Sequence, residues 1–219
     1  MNTFPYMIHS SDDPMAVTET RLAHEVHRAA TTLLAEAAAR PSAPLDTLAQ
    51  LRDFLVANLR HHHHTEDEDL WPQIVATAPA TADTLKELSE EHQHLEDALD
   101  QLAAVTLNDA DTEARAALHQ AAVAVRDTVH SHLAHEEPVL FPALREHITP
   151  EYWAQFSQQV IATTPPVAGH LMIGFLDEVG TPDEVSAMLA ALPEPVQPLL
   201  PAMRQQAAAD LASLRAIGS

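Results

Sequence analysis

Apolar positions in this chain recur three and four residues apart over long stretches, and they almost never alternate as a half-buried strand requires. The clearest stripe is Leu85, Leu88, His92, Leu95, Leu99 and Leu102, whose steps match a helix facing the core of a bundle. A second stripe, Leu118, Ala122, Val125, Val129, His132 and Glu136, follows the polar break "LNDADT". A third runs from about Asp46 through Leu48, Leu51, Leu55 and Leu59 into four consecutive histidines, passes Trp71-Pro72 and stops at "ATAPAT". A first helix is expected after "SDDP", with Asp13 as its cap and Pro14 in the first helical position, ending near "ARPSAP". Two of these core stripes carry histidine, and one carries a carboxylate as well. The pattern predicts an all-α protein.

The pattern changes after "TPEYW". The stretch "TTPPVAGHLMIGFLDEVGTPDEVSAMLAALPEPVQPLLP" is cut by Pro and Gly into short apolar segments. Residues 149–219 are therefore expected to form a C-terminal helical appendage that packs on the preceding helices or makes a homo-oligomer contact. It carries no recognisable chemistry. Residues 1–14 read as an irregular N-terminal segment.

Composition narrows the partners. A chain of 219 residues can bury a substantial core without cross-links. It has no cysteine, which excludes disulfides, thiolate zinc sites and cysteine-ligated clusters, so any metal must be held by His and carboxylate. With 32 acidic against 11 basic side chains, the charge of −21 opposes nucleic acid and anionic membrane surfaces. The start "MNTFPYMIHSSDDP" lacks signal-peptide features and no apolar run is long enough to span a bilayer, so a cytoplasmic protein is expected.

The chemistry lies in an internal repeat. His62, Glu66, Leu70, Trp71 and Pro72 recur as His132, Glu136, Leu140, Phe141 and Pro142 at a constant offset of 70. Each unit has an H-x-x-x-E pair on its second helix and a lone core histidine on its first. Residues four apart share a helix face, so imidazole and carboxylate can both reach the bundle axis. Two such pairs with two lone histidines supply about four imidazoles and two carboxylates, a set suited to two metal ions bridged by the carboxylates. Left unpaired in an apolar seam, these groups would cost several kcal/mol each, and metal coordination supplies the compensation. Imidazole with carboxylate suits iron, zinc, copper or manganese.

His92 is the lone histidine of the second unit. The first offers His24 and His27; the residues three, seven and ten beyond His27 reproduce the places of Leu95, Leu99 and Leu102 better, so spacing favours His27, though either could serve. Since adjacent helical residues turn by about 100°, His63 with Asp67 and His64 with Glu68 are expected to point outward. His135 is expected beside the site or at the surface. His9, His94, His119, His130, His147 and His170 are expected away from it. Pro138 has no counterpart in the first unit, where Glu68 stands, and is expected to kink the helix near the site.

The segments "HHHHTEDEDLWP", "EEHQHLEDALDQL" and "HLAHEEPVLFP" resemble the hemerythrin-like HHE cation-binding domains, whose pattern is H, H-x-x-x-E, H, H-x-x-x-E. The resemblance implies an up-and-down four-helix bundle over residues 15–148. It also implies two non-heme iron ions with a bridging oxo or hydroxo group, other divalent metals being alternatives. The implied ligands are His62, Glu66, His92, His132 and Glu136, with His24 or His27 from the first helix. The implied function is binding of O2 or a related small oxidant, peroxide or nitric oxide. A di-iron enzyme that decomposes peroxide or oxidises a substrate, and a metal or oxygen sensor, are the rival readings.

Overall fold

The computed structural model describes residues 13–107 and 112–216, and the regular structure among them is helical, without strands. The expectations for His9, for residues 1–12 and for most of "LNDADT" lie outside the described residues. Helix α1 spans Met15–Ala38 and α2 spans Leu45–Thr65. A π-helical turn, Glu66–Leu70, leads into α3, Trp71–Thr77. Then come α4, Ala82–Ala104, and α5, Thr112–His147. Chain neighbours are bundle neighbours: α1 packs on α2, α2 on α4, α4 on α5, and α5 closes on α1. This is an up-and-down four-helix bundle.

The stripes read from the sequence are the faces that pack. The buried residues of α4 are Leu85, Leu88, His92, Leu95, Leu99 and Leu102, and the α5 stripe from Leu118 to Glu136 is buried too. One local expectation differs. Asp13 does not cap α1; its carboxylate pairs with Arg145 at 2.7 Å, while Pro14 precedes the first helical residue and its carbonyl accepts from Val17 and Thr18. Helix α5 runs through Pro138 and Pro142 as one element. An irregular π-helical turn falls in the first unit, immediately before Trp71-Pro72, where the missing proline N–H interrupts the ladder.

The remaining elements are α6 (Pro150–Thr163), α7 (Gly169–Val179), α8 (Pro182–Ala190) and α9 (Leu200–Arg215). Helices α7 and α9 pack on α1 and α2, and on each other. Leu171, Phe175, Leu211 and Leu214 join the bundle core, with the Phe175 ring stacked on Phe54 at 6.2 Å. Gly174 lets α7 approach α9 closely, since a Cβ there would meet Ala207 Cβ at 2.6 Å. The appendage thus packs on the bundle through α7 and α9.

Along the bundle axis the core has two apolar parts. One is built on Leu22, Leu34, Phe54, Leu59, Leu95, Leu99 and Val129. The other is built on Val17, Leu70, Trp71, Leu88, Leu140 and Leu144. On α2 and α4 the buried histidines lie between the two parts in sequence, and with His24 and His27 of α1, His132 and Glu136 of α5, and Glu66 they make a buried polar layer.

Candidate metal centre

Each bundle helix contributes to that layer: α1 His24 and His27, α2 His62 and His63, the π-turn Glu66, α4 His92, and α5 His132 and Glu136. All are buried except His62, which is partly exposed. Their ligand atoms converge in two groups, each with its atoms within 4.8 Å of one another: His24, His62, Glu66 and Glu136 form one, and His63, His92 and His132 the other.

The glutamates stand between the groups. Glu66 turns Oε1 to His62 Nε2 at 3.2 Å and Oε2 to His92 Nε2 at 3.7 Å. Glu136 Oε2 lies 3.2 Å from His132 Nε2 and 3.8 Å from His24 Nε2. Each carboxylate thus reaches an imidazole of both groups. His92 Nε2 and His132 Nε2 are 3.2 Å apart, a separation at which two lone pairs need a cation or a proton between them.

Outer carboxylates orient the rings. His92 Nδ1 donates to Asp67 at 3.0 Å, His24 Nδ1 to Glu137 at 3.1 Å, and His132 Nδ1 to Glu91 at 2.9 Å. A proton fixed on Nδ1 leaves the Nε2 lone pair facing the centre, as a metal-binding imidazole requires. The internal repeat becomes spatial here: Asp67 and Glu137 are 70 apart, and each holds the lone histidine of the other hairpin. The repeated aromatics follow the same exchange. Trp71 stacks on His92 at 6.3 Å and Phe141 on His24 at 6.0 Å.

Burial and repulsion between like groups dominate the electrostatics of the layer. Burial and then Glu136 push the Glu66 carboxyl well above its ordinary range. Burial would raise Glu136 too, but His24 and His132 outweigh it and hold Glu136 at about 2. Burial, then the neighbouring imidazoles, keep His62 and His63 neutral far below their usual range, and His27 falls to about 3. For His132 burial works downward, yet Glu136 and Glu91 prevail and raise it. His24 Nε2, His62 Nε2, Glu66 Oε2 and both oxygens of Glu136 are buried without a hydrogen-bond partner. Each such orphan costs about 1–3 kcal/mol, and more when charged. A cation at the centre would satisfy all of them, so the donor set fits a bound metal.

The expected residues His24, His62, Glu66, His92, His132 and Glu136 are brought together. His27, the residue spacing favoured, is buried with its ring 4.8 Å from His62, but it stands outside both groups of converging atoms. His24 takes the place equivalent to His92, a relation carried by Glu137 and hidden in the helix pattern. His63 was expected to face outward with Asp67, and this is corrected: it is buried and stacked on His92 at 4.3 Å. The inward face of a bundle helix spans more than 100°, because it meets a neighbour on either side, so His62 and His63 both fit within it. His64 and His94 are exposed, and exposed His135 bonds to Glu91. Asp67, Glu91 and Glu137 were not foreseen as partners, although the acid following each repeated glutamate was a signal available in the repeat.

A four-helix bundle whose buried polar layer is made of imidazoles and shared carboxylates defines a cation-binding helical protein. The family model for the hemerythrin HHE cation-binding domain matches residues 15–144, and the chain belongs to that family. No curated protein and no solved structure matches it. No described helix is long and apolar enough to cross a membrane.

Proposed function

We propose that this protein holds two iron ions between Glu66 and Glu136 and binds O2 or a related small oxidant there. The observation that carries the reading is the reach of each glutamate to an imidazole of both groups, the arrangement two bridging carboxylates need. His24 and His62 would serve one ion, and His92 and His132 the other. His27 abuts His62 and is the remaining imidazole on that side. A ferrous pair with an unfilled coordination position would supply the two electrons and the vacancy that O2 binding requires.

The chain's own residues account for the rest. Asp67, Glu91 and Glu137 hold imidazole protons on Nδ1 and keep Nε2 free. Glu66 and Glu136 balance the charge of two divalent ions. Leu55, Leu59, Leu95 and Val129, all buried beside the polar layer, exclude water and slow loss of a bound species.

The test is anaerobic loading with ferrous iron, metal analysis, then admission of air with the visible spectrum and oxygen uptake recorded. Two irons per chain and one O2 per pair support the reading. Fewer than two bound irons would refute it, and sustained consumption beyond one equivalent would make the protein an oxidase or peroxide-decomposing enzyme instead.

A further inference from the structure

The two repeated units differ in the segment that follows the glutamate. From Glu136 onward α5 stays one helix, whereas Glu66 opens the π-turn Glu66–Leu70. The placement of that turn sets three groups at once: Glu66, Asp67, which holds His92, and Trp71 immediately after it, whose ring stacks on His92. Pro72 brings no N–H to the ladder there, so the turn's own hydrogen bonds hold it less firmly than a regular helix would.

Helix α6, which lies beyond the residues 15–144 matched by the family model, grips the turn from outside. Tyr152 Oη donates to the Asp69 carbonyl at 3.1 Å, and Gln159 Nε2 donates to Asp69 Oδ2 at 3.0 Å. Before Glu66 in sequence, His61 Nε2 and Thr163 Oγ1 are 2.8 Å apart. The same helix is thus bonded to the chain on either side of Glu66. Its start is fixed in turn: Thr149 Oγ1 accepts from the Tyr152 backbone N–H at 3.2 Å, and Pro150 takes the first helical position. Burial, then Asp69, raise the Tyr152 hydroxyl above its ordinary value, so it stays a donor. Trp153 and Phe156 join the apolar part built on Leu70 and Trp71.

We propose that Tyr152 is a positioning residue for the buried layer: through the Asp69 carbonyl it holds the π-turn in the geometry that aims Glu66 and Asp67 at a bound cation. Its hydroxyl acts through the backbone of the turn. Cation affinity and the docking of α6 are therefore linked, and the linkage is reciprocal: what α6 adds to binding, binding returns to α6. The net worth of one hydrogen bond bounds the coupling at about threefold to tenfold in affinity. This rests on the layer's holding a cation, as the proposed function requires, and on no particular metal.

The experiment titrates the metal-free full-length protein with Co2+ against a competing chelator, alongside Tyr152→Phe and Trp153→Phe. The first variant removes only the hydroxyl. The second removes a different α6 hydrogen bond, from Trp153 Nε1 to Glu19 at 2.9 Å, which ends on α1 and not on the π-turn. Tyr152→Phe is expected to bind Co2+ about threefold to tenfold more weakly, and Trp153→Phe within about twofold of the parent. Parental affinity in Tyr152→Phe overturns the proposal and leaves the cation reading standing. An equal loss in both variants also overturns it, because α6 then only stabilises the fold. Should either variant not fold, hydrogen exchange in the parent decides: Co2+ is expected to slow the amides of α6 more than those of α9, and equal slowing or none overturns the proposal. A parent that binds no Co2+ overturns both readings.

Discussion

Glu137 accepts a hydrogen bond from Nδ1 of His24 at 3.1 Å. Asp67, seventy positions earlier, does the same for His92 at 3.0 Å. These carboxylates belong to neither group of converging atoms, yet they set ring orientation and raise the basicity of the nitrogen that faces the centre. Replacing either by its amide, Asp67→Asn or Glu137→Gln, is expected to weaken cation binding about 10–100-fold without unfolding the bundle. Competition with a chelator measures it, and unchanged affinity in both variants would remove the orienting role. Arg28, which also donates to Glu137 at 2.7 Å, keeps that carboxylate in position.

Glu66 is costly to the metal-free protein and, on the proposed reading, needed by the loaded one. Its buried carboxyl lies against Glu136 with one oxygen unpartnered. Glu66→Gln is expected to stabilise the metal-free chain by about 1–2 kcal/mol, since like-charge repulsion and part of the desolvation penalty disappear. The same variant should lose at least one of two bound cations. Thermal unfolding with and without metal reads both effects, and a fall in metal-free stability would contradict the first.

The acid response has a definite sign. His27 has its folded value depressed from 6.5 to about 3, and burial depresses His62 and His63 as well. Below about pH 6.5 the unfolded chain binds protons that the folded one refuses, so stability of the metal-free protein falls as pH drops from about 6.5 toward about 3. Each fully differential group contributes a slope of about 1.4 kcal/mol per pH unit. Glu136, held at about 2, acts in the same direction below its ordinary 4.5, while raised Glu66 opposes. His27→Leu should flatten the slope by up to one proton in a titration of melting temperature against pH.

Leu59 is buried on α2 one turn before His62. Leu59→Ala is expected to cost about 2–5 kcal/mol through the cavity it leaves. In the iron-loaded protein it should also speed autoxidation, because water gains a route to the polar layer. Spectral decay in air checks this, and an unchanged rate would separate the apolar layer from any protective role.

Phe175 of α7 stacks on Phe54 of α2 within one continuous core. Phe175→Ala is therefore expected to destabilise the whole chain by about 3–5 kcal/mol and to preserve a single unfolding transition. Calorimetry showing two transitions would mean that the bundle and α7–α9 unfold separately.

The sequence by itself determined the helices, their buried faces and the doubled H-x-x-x-E unit, because helical periodicity is local and a core histidine stands out in a leucine stripe. It also narrowed the centre to imidazole and carboxylate, since the chain has no cysteine. Only the tertiary structure decided which neighbouring ring faces inward. His24 lies 3.8 Å from Glu136 while His27 lies against His62, and His63 shares the inward face with His62, because that depends on the rotation of each helix against two neighbours and on a π-turn at Glu66–Leu70 that spacing does not reveal. The pairing of Asp67 with His92 and of Glu137 with His24 was likewise decided in space. Each joins residues on different helices, and no periodicity along one helix records what the next one presents to it.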